Sequence, residues 1–414
     1  MIYLFYFIMF LGILNFFYKK RTFDFFSIAF ISAMIYFFPG FVGYVGIEKI
    51  NMTEPISVYT YTVVILVVLS LILTSLMFDT TKKKEISFIF LEKNSSYLAE
   101  AALIIGISSF VILYMTQGSM LFTAGKASLA ENYSRWSILY QSGISLATIL
   151  FFIQKKYKFA IFSLLVLSIN IYIGYRSTFV ITIISLLTIY LNKKGPIRFI
   201  RYAKIIFIAF IGLMFLLVAK VLLPTFKYAI ITGDYNYFLN YISDLGNVFR
   251  IAILNAEPFV TMWTLNTIIN NNFETSATEL LGLLALLIPF GSEIGIQGRT
   301  FNSLFQPILF SWANYGVGSN IWAQFYSIGG FFVLSIFLLI YNFFLYLASQ
   351  ALLIRSSYLK AVFAIMSSYW AFYIHRNDIG FQITLERRVI IIYIFSLILS
   401  IVIYNFFPKK RKSK

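Results

Sequence analysis

The chain contains no cysteine, and its one histidine is His375. The first absence excludes disulfide staples, thiolate nucleophiles and thiol-ligated metals. The second removes any histidine-based metal centre. Acidic residues are sparse too, 16 against 33 lysines and arginines, and no carboxylate cluster of the kind magnesium needs is evident. Charged residues of both signs make up only 12% of the chain, about half the share of an ordinary soluble domain.

What is present is apolar. Hydrophobic residues make up 60% and aromatic residues 20%, with a mean hydropathy of +0.84, so burial in a bilayer replaces a water-excluding core. The net charge of +17 would suit nucleic acid if it formed one patch. The lysines are instead spread over connections between apolar runs, which excludes nucleic acid and leaves a lipid bilayer as the partner.

A crossing helix needs about 20 apolar residues. Eleven runs qualify as spans: 2–18, 23–45, 58–78, 98–116, 136–153, 159–174, 177–191, 205–223, 320–347, 357–374 and 389–406. The first lacks a basic leader and a small-residue cleavage site, so it reads as a retained span. The pattern predicts an all-α polytopic membrane protein with about eleven transmembrane helices. Residues 1–223 would hold eight of them, residues 224–318 would form a large loop, and residues 319–414 would hold three more with a basic tail.

Basic residues sort by side. Alternate connections, such as Lys82-Lys83-Lys84, Lys155 to Lys158, Lys193 to Lys204 and Lys409 to Lys414, hold 22 of the 33, and 17 of these are lysine. The positive-inside rule makes that face, with the carboxyl terminus, cytoplasmic. Of the other 11, 7 are arginine: Arg135, Arg176, Arg250, Arg299, Arg376, Arg387 and Arg388. Topology does not call for guanidinium groups there. Their planar fork pairs bidentately with phosphate and carboxylate, so they point to an anion-gripping site on the outer side.

The loop 224–318 would lie on that same side. Connections of this length usually carry function or structure of their own. It has a helical patch from Val248 to Ile269 and an apolar run from Leu280 to Phe290, too short to cross and suited to an interfacial or re-entrant helix. Its Tyr235, Tyr237, Asn270 to Asn272, Trp312 and Tyr315 offer the aromatic faces and amides that sugars need, or equally the aromatic belt of a membrane interface.

Individual charges narrow the site. Arg176 lies in the only gap between two adjoining apolar runs, where a charge must face a polar cavity or snorkel to the interface. His375-Arg376-Asn377-Asp378 follows the tenth run and Glu386-Arg387-Arg388 opens the eleventh. A continuous helix would align Arg376 with Arg387, although Gly380 interrupts it. Arg250 and Glu257 are two helical turns apart and would share a face; Pro258 suits the start of a new helix. Glu293 and Arg299 flank the glycine-rich stretch Gly291 to Gly298, where glycine lets backbone approach a ligand or merely makes turns. His375 fits either a hydrogen-bonded structural histidine or a base near neutral pH.

Four stretches resemble one family. Ile173 to Thr178 looks like a glycine-and-arginine turn between hydrophobic helices. Ile288-Pro289-Phe290 with Gly298-Arg299 looks like an outer-loop segment, Tyr315 to Phe332 like the lead into the next helix, and His375 to Arg388 like a late arginine-and-acid cluster. Together with the architecture they resemble the Wzy-type oligosaccharide repeat-unit polymerases of bacterial O-antigen, capsule and common-antigen synthesis. The resemblance implies a GT-C-like glycosyltransferase in the bacterial inner membrane that needs no cofactor or metal. Its substrates would be undecaprenyl-diphosphate-linked oligosaccharides at the outer face, and a chain-length-regulating co-polymerase would be a partner. It implies that Arg176, Arg299, Arg376, Arg387 and Arg388, with Arg250 beside them, hold diphosphate or glycan. Glu257, His375 and Asp378 would be the candidate bases. An O-antigen ligase shares this architecture. A lipid-linked oligosaccharide flippase should instead show repeated halves and charges buried mid-span, which the sequence lacks.

Overall fold

The computed structural model describes residues 1–47, 52–78, 97–123, 135–254, 256–283, 299–313 and 316–407. Lys82 to Lys84, the apolar run beyond Leu283, Gly291 to Gly298 with Glu293, Tyr315 and the tail Lys409 to Lys414 lie outside these residues.

Long runs of Ile, Leu, Val and Phe in hydrocarbon must satisfy their backbone groups within one segment, and the helix does this. The first part of the chain forms α1 (Ile2–Ile13), α2 (Phe25–Tyr36), α3 (Val58–Met77), α4 (Leu98–Gln117), α5 (Arg135–Ile153), α6 (Tyr157–Ile173), α7 (Ser177–Asn192) and α8 (Ala203–Thr232). Helices α9 (Tyr235–Ser243), α10 (Leu245–Leu254), α11 (Glu257–Asn270) and α12 (Phe301–Leu309) follow. The chain then forms α13 (Ile321–Ala351), α14 (Ser357–Ser368) and α15 (Ile379–Phe406).

Among the described residues, five helices are long and apolar enough to cross a membrane: α3, α4, α5, α13 and α15. Of the eleven expected spans these match five. The runs at 2–18, 159–174 and 177–191 form apolar helices of 10–17 residues. The run at 23–45 stays helical only to Tyr36, then gives a short Pro39–Val42 helix and a strand. Helix α8 continues through Pro224 to Thr232.

Side-chain caps fix where several helices start. Asp24 accepts the Ser27 amide at 3.0 Å, Ser57 the Thr60 amide at 3.2 Å, and Asn320 the amides of Trp322 and Ala323 at 3.0 and 3.1 Å. Each supplies an acceptor for a first-turn N–H that has no partner inside the helix.

Helices α4 and α5 meet through glycine. A Cβ on Gly143 would come within 3.0 Å of the Ala102 carbonyl and 3.1 Å of the Gly106 Cα. In hydrocarbon, close backbone packing of this kind replaces the hydrophobic drive between helices. Helix α15 packs along this pair. Helix α13 is broken at Gly329 and at Gly330, whose φ of +59° only glycine adopts readily. At the break the Ser327 carbonyl accepts the Thr275 amide at 2.9 Å.

A two-stranded antiparallel hairpin, β1 (Tyr44–Ile47) with β2 (Met52–Pro55), lies against α11. Glu54 in this hairpin accepts from Trp263 Nε1 at 3.3 Å and from Asn266 Nδ2 at 3.2 Å. Asn266 Oδ1 in turn accepts the Ser57 amide at 2.9 Å and the Thr60 hydroxyl at 3.0 Å. These bonds tie α11, and Glu257 at its start, to the start of α3.

Candidate functional site

The site forms at one end of the bundle. Residues near the starts of α5, α7 and α15 line a common cavity there. Lys155, Lys156, Lys193 and Lys194 sit at the far ends of α5 and α7. A helix of this length spans roughly 25–30 Å, so lysine-rich connections and cavity lie at opposite ends.

Helix α14 ends in a π turn, Tyr369–Tyr373. Such insertions are frequent at functional sites, and here Tyr369 and Tyr373 both line the cavity. The chain then turns and presents Arg376. Its Nη1 lies 3.2 Å from the Glu257 carboxylate, and its guanidinium carbon 5.9 Å from the centre of the Tyr373 ring. Tyr373 and Tyr36 are electrostatically coupled to both members of this pair. Glu257 is the first residue of α11, with Pro258 behind it in the first turn. The positive helix start favours a carboxylate there.

Two more cations share this field. Arg176 sits at the cap of α7, just after Gly174, whose φ of +109° ends α6 in the left-handed region that glycine tolerates. Burial holds the Arg176 guanidinium below its ordinary range, and Glu257 and Tyr373 work against that. Lys220, on α8, is electrostatically coupled to Glu257, Arg376 and Arg176. For Arg376 burial again opposes the charge, but Glu257, Tyr373 and Tyr36 outweigh it and the shift is upward. A guanidinium remains charged in either case.

The cavity beside Arg376 has a volume of about 430 Å³. Arg388 lines it, with Gln141, Thr178, Asn302, Ser319 and Asn377 supplying amides and hydroxyls. These groups are oriented. Thr178 donates to Gln141 Oε1 at 3.0 Å, and Gln141 Nε2 donates to Ser137 at 3.0 Å. Asn377 donates to Gln382 at 3.4 Å, and Gln382 to Glu386 at 3.2 Å.

Asp378 lines the cavity and caps α15, accepting the Phe381 amide at 2.7 Å and the Ser319 hydroxyl at 3.2 Å. Burial raises its pKa, and the amides and hydroxyl bonded to it pull the other way. It ties the 316–320 segment to the start of the helix.

His375 goes elsewhere. It is fully buried, and its Nδ1 accepts the Trp322 indole N–H at 2.9 Å. Tyr36 stacks on the ring at 5.7 Å and Phe37 meets it edge-on at 4.8 Å. Burial pushes its pKa down to about 3, so the imidazole is neutral. It is absent from the cavity lining. A base must reach its substrate, and this arrangement is that of the structural alternative.

The remaining arginines spread out. The expected shared face of Arg250 and Glu257 does not form, because α10 ends at Leu254 and a new helix starts at Glu257. Arg250 is exposed, with Asn247 at 3.5 Å. Arg299 is exposed, just before the Thr300 cap of α12. Arg376 and Arg387 are not aligned, since Arg376 precedes the Asp378 cap and only Arg387 is on α15. Arg388, not Arg387, faces the cavity. Sequence reasoning missed Lys220, Tyr36, Tyr373 and Gln141. Lys220 had a usable signal, an ammonium inside an apolar run, which is rarely without purpose. Among the described residues no three Asp, Glu or His side chains gather as a metal site would need.

The arrangement therefore offers two guanidinium groups in a hydrogen-bonding cavity, with a half-exposed carboxylate paired to one of them. No known protein family, curated protein or solved structure matches the chain.

Proposed function

We propose that this membrane protein joins lipid-diphosphate-linked oligosaccharide repeat units at the outer face of the bacterial inner membrane, as a polysaccharide polymerase. The observation that carries this reading is the Arg376–Glu257 pair beside a cavity lined by Arg388, Tyr369, Tyr373 and amide side chains. Cations suit a diphosphate, tyrosine rings suit the C–H faces of sugars, and amides suit their hydroxyls. The basic ends of the helices, opposite the cavity, would face the cytoplasm.

In the reaction an acceptor sugar hydroxyl attacks the anomeric carbon of the donor glycan. The bond from that carbon to the diphosphate oxygen breaks, and its electron pair stays on the departing lipid diphosphate. Arg376 and Arg176 stabilise that growing negative charge where water is scarce. Glu257 takes the hydroxyl proton as general base. Asp378, already spent on capping α15 and holding Ser319, positions the cavity wall.

Deleting the gene and analysing the accumulated glycolipids tests this. The polymerase reading expects lipid-linked single repeat units. Accumulation of long lipid-linked polymer would move the assignment to ligation, and an unchanged glycolipid profile would end it. A chain-length-regulating co-polymerase is the expected protein partner.

A further inference from the structure

We infer that Glu257 occupies Arg376 in place of the donor, and that the incoming diphosphate displaces it and so frees the base. This rests on the polymerase reading and adds an order of events to it. The Arg376 and Glu257 side chains are 32% and 36% exposed, so an anion in the cavity can reach the guanidinium without the bundle opening. The cavity already borders Arg376 and leads to a second guanidinium, Arg388.

Charge supports the exchange. Arg376 and Arg388 both line the cavity, and Glu257 is the carboxylate paired with Arg376. A sugar–lipid diphosphate carries about two negative charges, one on each phosphate. It can therefore meet both guanidinium groups once it replaces the carboxylate at Arg376. The arginine fork can meet two phosphate oxygens at once, whereas Glu257 reaches it at Nη1, 3.2 Å away.

The displaced carboxylate stays in place. Glu257 is the first residue of α11, which hydrogen bonds tie to the start of α3 and to the hairpin, so its backbone stays beside Arg376 after the ion pair is lost. A carboxylate held by a guanidinium is a poorer base than one released from it. The donor therefore switches on the group that deprotonates the acceptor. The proton of the acceptor hydroxyl goes to Glu257, and the electron pair of the broken glycosyl–oxygen bond goes to the lipid diphosphate. Without donor the base stays paired, which would disfavour transfer to water.

The test uses the purified full-length protein in lipid nanodiscs, with inorganic pyrophosphate and undecaprenyl diphosphate as probes. Glu257→Gln removes the competing charge and keeps the shape. It should bind both probes at least about threefold more tightly, the scale of a half-exposed ion pair, while turnover falls about 100-fold or more. A structural lesion would weaken binding along with turnover. Glu257→Asp, which shortens the reach of the carboxylate to Arg376 without removing its charge, should tighten binding in the same direction by less. Unchanged or weaker pyrophosphate binding in both variants overturns the exchange. Tighter pyrophosphate binding in a protein that transfers no glycan would instead overturn the polymerase reading and leave the exchange standing.

Discussion

The Arg376 guanidinium lies 3.2 Å from the carboxylate of Glu257, a pair that joins the turn after α14 to the first residue of α11. Tyr36 on α2 and Tyr373 on the π turn are electrostatically coupled to both of its ends. Four segments thus converge on one ion pair beside the cavity.

The pair makes Arg376→Lys informative. Lysine keeps the charge and loses the fork, so transfer should fall about 100-fold or more, the usual cost of losing one transition-state donor. Arg299→Lys, at an exposed position outside the cavity lining, should stay within about threefold of wild type. Rates on lipid-linked repeat units measure both. Equal losses would move the anion site toward the loop.

His375→Gln separates structure from catalysis. The imidazole is neutral in the fold, with a pKa near 3 against an ordinary value of 6.5. The unfolded chain therefore binds more protons between those values. The stability that this histidine supplies is complete above about pH 6.5 and is lost as pH falls toward about 3. Glutamine still offers an acceptor to the Trp322 indole. The variant should lose less melting temperature than wild type between about pH 7 and pH 4, and its transfer rate should keep the wild-type pH profile. A transfer rate that collapses with an unchanged melting temperature would make His375 the base.

Gly143→Leu tests the α4–α5 contact. The new side chain would start 3.0 Å from the Ala102 carbonyl, a backbone atom that cannot swing aside. Overpacking of this kind costs about 1–3 kcal/mol, seen as a lower melting temperature and less folded protein after extraction. Gly212→Leu on α8, where nothing among the described residues lies within 4 Å, should be nearly silent. Equal tolerance of both would show that the helices do not meet through glycine.

The membrane character of the chain was legible because apolar runs are long and unmistakable, and five of them became helices of full crossing length. Arg176 was legible because it interrupts two such runs. Lys220 was not singled out, since averaging over 205–223 lets its apolar neighbours hide it. His375 was open to misreading for a different reason. The π turn at Tyr369–Tyr373 precedes it and shifts the helical register, and nothing in Tyr369-Trp370-Ala371-Phe372-Tyr373 announces that turn. The expected Arg250–Glu257 face assumed an unbroken helix, but Pro258 suits a helix start and the chain begins a new one there. The spacing of Arg376 and Arg387 failed for a related reason, because Asp378 starts α15 between them.

The most direct test is reconstitution. Purified wild-type protein in liposomes, given only undecaprenyl-diphosphate-linked repeat units from the strain that carries the gene, should release undecaprenyl diphosphate and build a ladder of longer lipid-linked glycans. Arg376→Lys should leave the starting units unjoined. Wild-type protein that builds no ladder, or an Arg376→Lys protein that builds the wild-type ladder, would contradict the account.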